Sequence, residues 1–368
     1  MPDLQWARRE RLRQALAAPG ADAALITSLA NVRYLTGLAS SNAALLLPAG
    51  PGPGAGPVLA TDSRYAGTAR QACPDLEILI ERAIEPELAG VAAGMGIRRL
   101  AFEAHEMTVE RYRAFAAQVP GTELVPLGRA VEEIRMAKDE QEIALLARAC
   151  EITSRAFEQV VPVIRPGVTE RELAISLERA MTDLGADGLA FDTIVASGPN
   201  GAIPHHEPSG RPFAAGDLIT VDCGARYQGY HADMTRTVVL GPPAPWQRDI
   251  YGLVAAAQAA GIEAAVPGAD VRAVDAAARG LIADAGHGGH FQHGLGHGVG
   301  LEIHEAPIMG YGRTGTLGDR VPITVEPGIY LPGQGGVRIE DTLVVRAGTG
   351  KAAPQELLTT TTRELLVL

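Results

Sequence analysis

The sequence predicts an α+β protein of two domains, in which an N-terminal α/β domain precedes a pseudo-symmetric domain of helices and antiparallel strands. The chain has 368 residues, which is long for one hydrophobic core. Hydrophobic periodicity breaks at Val125-Pro126-Leu127-Gly128, just before a long amphipathic segment. Beyond that break, a pair of helices followed by strands is expected twice. We therefore expect an N-terminal domain over residues 1–130 and a C-terminal domain over residues 131–368.

Composition and charge exclude several classes of protein. The formal net charge of −11 disfavours binding to a nucleic-acid backbone, which requires a basic surface. No apolar run reaches the roughly 20 residues that span a bilayer, and the charged start of the chain does not resemble a signal peptide. We therefore expect a cytoplasmic protein that binds neither nucleic acid nor membrane. The three cysteines match no zinc or redox motif, so we expect them to be small buried hydrophobic residues.

Short apolar runs between helical segments indicate the α/β domain. Runs of three to five apolar residues, bounded by Gly, Pro or polar residues, are typical of buried strands. The expected elements of this domain are helices near 4–18 and 108–118 and strands at 23–26, 43–47, 58–60 and 100–102.

Capping signals mark the first two helices of the C-terminal domain. Asp139 with Glu142, and Thr169 with Glu172, have the spacing of a capping box, which satisfies free N–H groups at a helix start. The expected elements are helices 139–160, 169–184, 244–265 and 271–285, and strands 191–197, 217–223, 232–240, 299–304, 321–326 and 337–345. The pseudo-symmetry rests on the order of these elements, because no strong sequence repeat accompanies it.

Eight of the nine histidines lie between His205 and His304. A purely structural explanation requires eight polar rings that are each satisfied separately, whereas one shared site explains the clustering at once. We therefore expect a functional site that contains histidine in the C-terminal domain.

Two aspartates lie close together along the chain at the ends of expected strands. An apolar run ends at Asp222, and Asp233 follows eleven residues later, with Gly224 and Gly229 between them for a turn. A hairpin would bring the two carboxylates together, and adjacent carboxylates repel each other unless a cation lies between them. Two exposed aspartates on a hairpin are the alternative at this point.

Three further segments carry candidate ligands. His293 and His297 lie in a segment whose alternating glycines argue against a helix and allow close backbone approach. Glu326 ends an apolar strand at a Pro-Gly turn. Arg338 and Glu340 lie on one strand face because side chains alternate with period two, so the arginine can orient the glutamate. A surface ion pair is the alternative for these two alone.

Together these segments supply four carboxylates and an imidazole. Oxygen-rich ligation with one nitrogen suits Mn, Co or Zn better than a metal that prefers sulfur. Four carboxylates carry four negative charges, which two divalent cations balance. Paired ions roughly 3.5–4 Å apart lower the pKa of a shared water and stabilise a developing oxyanion. We therefore predict a two-metal hydrolase site, with other histidines supplying hydrogen bonds and protons.

The same segments, in this order, resemble the pita-bread metallopeptidases, a family that includes methionine aminopeptidase, aminopeptidase P, prolidase and the metal-free creatinase. The resemblance covers nearly the whole chain and implies a C-terminal pita-bread fold. The matching segments are Val221–Gly224, Asp233–Thr237, His293–His304, Glu326–Gly328 and Arg338–Asp341.

The resemblance implies a role for each metal ligand. Asp222 would bind one ion, and Asp233 and Glu340 would bridge both ions. His297 and Glu326 would bind the second ion. These five residues are the predicted metal ligands.

The resemblance also implies residues that act on the substrate or support the ligands. The predicted catalytic residues are His205, His293, His304, Glu326 and Arg338. Glu326 would transfer protons, and Arg338 and Tyr330 would hold the metal ligands in position without binding the metal themselves. His206 is not a fixed feature of the family and competes with His205 for one position, which we assign to His205.

The N-terminal domain narrows the expected activity. Asn31–Gly37 and Thr61–Tyr65 resemble the creatinase/prolidase-like domain of prolidases and aminopeptidases P, which bacterial methionine aminopeptidases lack. The five intact ligands argue against a metal-free creatinase-like hydrolase or a non-catalytic binding protein. The resemblance implies a homodimeric Xaa-Pro aminopeptidase for small proline-containing peptides, with two divalent ions, Mn as the expected metal and Co or Zn as alternatives. An Xaa-Pro dipeptidase (prolidase) is the alternative within the family.

Overall fold

The computed structural model describes residues 2–50, 56–348 and 355–368. Contacts between residues divide the chain into two compact units, Met1–Arg135 and Met136–Leu368. Within the described ranges, no helix combines the length and the apolar character needed to cross a bilayer.

The first unit is built on a six-stranded mixed sheet. Its helices are α1 (Pro2–Ala15), α2 (Leu29–Thr36), α3 (Ala66–Ala72), α4 (Ile84–Gly94), α5 (Val109–Gln118) and α6 (Ala130–Met136). Its strands are β1 (Ala23–Ile26), β2 (Ala43–Pro48), β3 (Val58–Thr61), β4 (Glu77–Ile80), β5 (Arg99–Phe102) and β6 (Glu123–Pro126). The strand order is β4-β3-β2-β1-β5-β6.

Burial of the central strands of this sheet explains why the sequence predicts them. Every residue of β1, β2 and β3 is buried, as is usual where helices cover both faces of a sheet. The four predicted strands are confirmed to within one residue at each end. The elements α2, α3, α4, α6, β4 and β6 were not predicted, since they are short or only partly buried.

The second unit contains four longer helices and many short strands. The helices are α7 (Glu140–Val160), α8 (Glu170–Asp183), α9 (Pro245–Ala264) and α10 (Val271–Asp284). The strands are β7 (Gly188–Leu189), β8 (Ile194–Ser197), β9 (Leu218–Cys223), β10 (Ala225–Tyr227), β11 (Tyr230–His231), β12 (Met234–Val239), β13 (Gly296–Gly298), β14 (Glu305–Met309), β15 (Val321–Val325), β16 (Gly328–Leu331), β17 (Gly335–Arg338), β18 (Asp341–Val345) and β19 (Gln355–Leu357).

These elements form two similar halves, as the order of predicted elements indicated. In the first half α7 packs against α8, beside the sheet β12-β9-β8. In the second half α9 packs against α10, beside the sheet β14-β13-β15-β18-β19. Every pairing of these strands is antiparallel. The predicted α+β class, with a pseudo-symmetric second unit, is confirmed.

Both predicted capping boxes are present. The Asp139 carboxylate accepts the N–H groups of Gln141 and Glu142, and the Glu142 carboxylate accepts the N–H of Asp139. Thr169 and Glu172 make the equivalent pair of bonds at the start of α8. Each cap satisfies N–H groups that a helix start leaves without partners.

Two strand predictions in the second half are wrong. The segment 299–304 is not a strand, because it bends around the buried carboxylate of Glu305. A Cβ on Gly300 would lie 2.7 Å from Glu305 Oε1, and that same oxygen accepts the N–H of Glu302. The expected strand 337–345 is two strands, β17 and β18, which pair with β16 and β15 respectively. The chain changes sheets at Ile339 and Glu340.

The close approach of β13 to its neighbours gives a testable consequence. A Cβ on Gly296 would lie 2.1 Å from the carbonyl oxygen of Thr324, and a backbone atom cannot move aside as a side chain can. We expect Gly296→Ala to lower the free energy of unfolding in urea by about 1–3 kcal/mol. Gly289→Ala is the matched control, because nothing lies within 4 Å of its Cβ position. Equal stability of Gly296→Ala and the wild type would contradict this packing.

Candidate metal centre

All nine predicted site residues line one cavity of about 530 Å³ in the second unit. They are Asp222, Asp233, His297, Glu326, Glu340, His205, His293, His304 and Arg338. The walls also include the apolar side chains of Phe191, Ile194, Ile303 and Ile308. Ionisable groups therefore converge inside a largely apolar pocket, which is the usual form of a binding or active site.

Antiparallel pairing brings the two aspartates together. Asp222 lies on β9, opposite Thr235 of β12, and Asp233 directly precedes β12. Their exposed fractions are only 8% and 5%. The alternative of two exposed hairpin aspartates is therefore wrong.

His297 is oriented with a lone pair towards two carboxylates. It lies on β13, and its Nδ1 is 3.0 Å from the carbonyl oxygen of Gly298. That carbonyl is only an acceptor, so Nδ1 carries a proton, and in the neutral ring the lone pair is on Nε2. His297 Nε2 lies 3.5 Å from Asp233 Oδ2 and 3.6 Å from Glu326 Oε1. A lone pair that faces two carboxylate oxygens is the arrangement that a cation would stabilise.

Arg338 holds one carboxylate oxygen of Asp222, and Thr235 holds one carboxylate oxygen of Glu340. The Arg338 guanidinium donates to Asp222 Oδ2 at 2.7 Å and to Thr235 Oγ1 at 3.0 Å. Thr235 Oγ1 in turn donates to Glu340 Oε2 at 2.7 Å. The other oxygens, Asp222 Oδ1 and Glu340 Oε1, are buried without a hydrogen-bond partner among the described residues. Buried polar atoms are rarely left unpaired, so these two oxygens fit metal ligands.

The electrostatics of the cavity support the same conclusion. Burial, and then the charges of Asp222 and Glu326, raise the pKa of Asp233 well above its ordinary value. Burial and the nearby Asp233 and Asp222 raise the pKa of Glu340 in the same way. Burial, followed by the charge of Glu340, raises the pKa of Glu326 to about 8. Without a cation, these carboxylates are stabilised by binding protons instead.

The donor atoms are close enough to share an ion. Ligand atoms of Asp233, His297 and Glu340 all lie within 4.8 Å of one another. Carboxylate oxygens and one imidazole nitrogen are suitable ligands for divalent Mn, Co or Zn. The residues present therefore fit the metal site that the sequence predicted.

His293 is held as a neutral ring by its neighbours. Its Nδ1 donates to the carbonyl oxygen of Gly294 at 2.8 Å, and its Nε2 lies 2.8 Å from the Tyr330 hydroxyl. Burial and the charge of Arg338 lower the pKa of His293 to about 4. Burial raises the pKa of Tyr330 to about 12, and its hydroxyl also accepts a hydrogen bond from Arg338. The hydroxyl proton of Tyr330 is thus directed at the His293 ring.

His205 and His304 are the more accessible histidines of the cavity. The ring of His304 meets the ring of His297 edge-on, with centroids 4.4 Å apart. Burial and the neighbouring His297 lower the pKa of His304. These two rings line the open part of the cavity, where a substrate can reach them.

The clustering of eight histidines suggested more histidines in the site than the cavity contains. Five of the eight line the cavity, namely His205, His206, His293, His297 and His304. The other three have different surroundings. His231 lies 3.0 Å from the carbonyl oxygen of Gly300, and His287 and His290 face each other with their Nδ1 atoms 3.3 Å apart.

Sequence reasoning missed the part that Thr235 plays between Arg338 and Glu340. Threonine is common in apolar strands, so its residue type alone does not indicate a functional role. Its position two residues after Asp233 was the available signal, because residues i and i+2 of a strand lie on the same face.

Comparisons with known proteins identify the family of the chain. Residues 144–347 match metallopeptidase family M24, and residues 8–137 match the creatinase/prolidase N-terminal domain. The first match covers more than half of the chain. An uncharacterized peptidase of Bacillus subtilis, YqhT, is 38% identical over 353 residues, covering 95% of this chain and 99% of the relative.

Two solved structures are similar over almost the whole chain. An Xaa-Pro dipeptidase from Bacillus anthracis has a TM-score of 0.93 at 36% identity, covering 99% of this chain and 100% of that one. An X-Pro aminopeptidase from Thermotoga maritima has a TM-score of 0.88 at 36% identity, covering 98% of this chain and 99% of that one. The two names state different peptide specificities at the same sequence identity.

The raised pKa values give a prediction about metal binding. A divalent ion must displace the proton that Glu326 holds below about pH 8, together with any protons that Asp233 and Glu340 hold because their pKa values are raised. We expect the affinity of chelator-treated protein for Mn²⁺ to fall as the pH is lowered from 8 to 6. For each proton that the ion displaces, the affinity should fall about tenfold per pH unit. Calorimetric titration in buffers of different ionisation enthalpy counts the released protons. Equal affinity at both pH values, without proton release, would contradict the prediction.

The raised pKa values also predict how the stability of the metal-free protein changes with pH. The pKa of Glu326 in the folded state, about 8, lies above the ordinary value of 4.5. The unfolded chain therefore binds fewer protons between these two values, and stability falls as the pH rises. The lowered pKa values of His293 and His304 act in the opposite sense below about pH 6.5. We therefore expect the unfolding temperature of the metal-free protein to decrease from pH 6.5 to pH 8 and to recover when Mn²⁺ is added. An unfolding temperature that rises with pH over this range would contradict the sign.

Proposed function

The chain belongs to metallopeptidase family M24, and on that basis we propose that it is an Xaa-Pro aminopeptidase, which hydrolyses the bond before proline at the N-terminus of short peptides. The observation that carries the proposal is the convergence of four carboxylates and His297 in one cavity. Two buried carboxylate oxygens, on Asp222 and Glu340, have no hydrogen-bond partner within the described part of the chain, which supports divalent ions as the cofactors.

We assign the five ligands as the family resemblance implies. Asp222 would hold one ion, Asp233 and Glu340 would be shared by both ions, and His297 and Glu326 would hold the second. The orientation of His297 Nε2 towards both Asp233 and Glu326 supports this assignment. We propose Mn as the metal, with Co or Zn as alternatives, because the ligand set is rich in oxygen.

The chemistry of the reaction follows from the residues around the ligands. When bound, divalent ions lower the pKa of water and neutralise the negative charge that develops on the attacked carbonyl. Glu326 is the side chain that takes a proton from water and passes it to the leaving nitrogen. His205 and His304 line the accessible part of the cavity, where they donate hydrogen bonds to the substrate. Arg338 keeps Asp222 in place directly and keeps Glu340 in place through Thr235.

A bond to proline requires a dedicated site. Its nitrogen carries no hydrogen, and the ring fixes φ, so a peptidase cannot bind that nitrogen as a donor. The cavity meets this requirement with apolar walls, formed in part by Phe191, Ile303 and Ile308.

The lining of the cavity favours peptides longer than two residues. A strict dipeptidase must compensate the proline carboxylate, for which a free lysine or arginine is the usual means. Among the described lining residues, the only lysine or arginine is Arg338, and it donates to Asp222, Thr235, Tyr330 and the Pro204 carbonyl. Prolidase activity is the second candidate, because a similar structure from Bacillus anthracis is named an Xaa-Pro dipeptidase.

Substrate length separates the two activities. With Mn²⁺ added, we expect Xaa-Pro-Yaa tripeptides to be cleaved with a higher kcat/KM than the corresponding Xaa-Pro dipeptides. Xaa-Ala-Yaa tripeptides are the control for the requirement for proline. Cleavage of dipeptides alone would establish the prolidase alternative, and cleavage of neither would overturn the proposed function.

Asp233 provides a test of the bridging role. We expect Asp233→Asn to lower kcat/KM by about a thousandfold or more, since the loss of a bridging carboxylate removes several kcal/mol of transition-state stabilisation. The unfolding temperature of the metal-free variant should not fall, because the substitution removes repulsion between buried carboxylates. Asp249→Asn, at an exposed position on α9, is the matched control. Turnover like that of the wild type in Asp233→Asn would refute the assignment.

A further inference from the structure

One buried carboxylate holds the segment that carries His205. Glu170 is the first residue of α8, and it is fully buried. Its Oε1 accepts hydrogen bonds from the Ser197 N–H at 2.8 Å, the Ser197 hydroxyl at 2.7 Å and the Asn200 amide at 3.0 Å. Its Oε2 lies 2.8 Å from His206 Nε2 and accepts from the Ser209 N–H at 3.0 Å and the Ser209 hydroxyl at 2.6 Å. One side chain thus joins both ends of the segment 197–209, which we call the His205 segment.

Other contacts fix the same segment between these ends. The Arg338 guanidinium donates to the carbonyl oxygen of Pro204 at 3.2 Å. The backbone near Gly201 lies so close to Gly336 that a Cβ on Gly336 would be 2.2 Å from the Gly201 carbonyl oxygen. The His205 segment is therefore attached to the strand that leads to Arg338 as well as to α8.

The two adjacent histidines of this segment differ in their surroundings. The His206 side chain is 14% exposed, and its ring is bonded to Glu170. His205 is exposed in the cavity, and its ring makes no hydrogen bond to any other residue that the structure describes. The His206 ring is therefore bonded within the protein, whereas the His205 ring is available to a substrate.

We propose that Glu170 and His206 are positioning residues, which act on the reaction only by holding His205 in place. This inference rests on the proposed peptidase function and adds a specific role for two residues outside the predicted metal ligands. His206 anchors the segment and does not contact the substrate. The family position for which two histidines compete therefore belongs to His205.

The charge of Glu170 suits it to this role. Burial alone would raise its pKa, but hydrogen bonds from Ser209, Asn200, His206 and Ser197 outweigh burial and lower the pKa to about 2. The carboxylate consequently stays ionised at neutral pH. Hydrogen bonds to an ionised acceptor are shorter and stronger than those between neutral groups, so the segment has one well-defined position.

A double-mutant cycle tests whether His206 acts through His205. A catalytic group displaced by about 1 Å costs on the order of a hundredfold in rate, so we expect His206→Ala to lower kcat/KM by roughly tenfold to a hundredfold. Metal content should stay at the wild-type level. His206→Gln, whose amide can still donate to Glu170, should recover most of the activity. In a His205→Ala background, His206→Ala should have almost no further effect.

A second perturbation keeps the test valid if His206→Ala fails to fold. Ser209→Ala removes one hydrogen bond to Glu170 from the far end of the segment. It should lower kcat/KM by a smaller factor and should also have no effect in the His205→Ala background. His290→Ala, a histidine outside the cavity, is the control and should leave kcat/KM unchanged.

The outcomes separate the inference from the proposed function. Independent, multiplicative effects of the His205 and His206 substitutions in an active enzyme would mean that His206 contacts the substrate, which overturns the inference alone. Failure of His206→Gln to recover activity in a folded, metal-loaded protein would also overturn it. A wild-type protein without activity on any Xaa-Pro peptide overturns the proposed function and, with it, the inference.

Discussion

Repulsion between buried carboxylates is the constraint on which the rest of the second unit depends. Asp222, Asp233, Glu326 and Glu340 share one cavity, and Asp222, Asp233 and Glu340 are buried, so solvent screens their charges less than at the surface. Arg338 supplies one positive charge beside Asp222 at 2.7 Å, which leaves most of the negative charge uncompensated. Divalent ions resolve this conflict, so binding of the cofactor and stability of the fold are linked through the same side chains.

The two halves of the pseudo-symmetric unit contribute different parts of the site. The first half supplies Asp222 and Asp233 from one antiparallel pair of strands, and the second half supplies His297, Glu326 and Glu340. Buried ionic groups then hold the irregular segments that carry the other histidines. Glu170 holds the His205 segment, Arg279 paired with Asp275 donates to the carbonyl oxygens of Phe291 and His293, and Lys138 pairs with Glu305 beside His304. Strands thus place the proposed metal ligands, and ionic groups hold the segments that carry the histidines proposed to contact the substrate.

Much of this arrangement was predictable from the sequence because it depends on local patterns. Apolar runs gave the buried strands, capping boxes gave the starts of α7 and α8, and the carboxylates at strand ends gave the ligand candidates. The errors have a common physical cause. The segment 299–304 resembles a strand in its apolar pattern, but it bends around Glu305, and the chain leaves its sheet at Glu340. Glu305 is paired with Lys138, 167 residues away in sequence, and the break at Glu340 reflects pairing of β17 and β18 with different strands. The contacts of Thr235 and Glu170 likewise join residues far apart in sequence, so the local sequence pattern did not reveal them.

Two divalent ions at this site are the central requirement of the proposed function. The most direct measurement is the metal content of the purified protein by mass spectrometry, combined with activity before and after exhaustive chelation. We expect about two ions per chain in the wild type and a lower content in Glu340→Gln. Activity should be lost on chelation and return with added Mn²⁺. Full activity in protein stripped of metal would contradict the central claim.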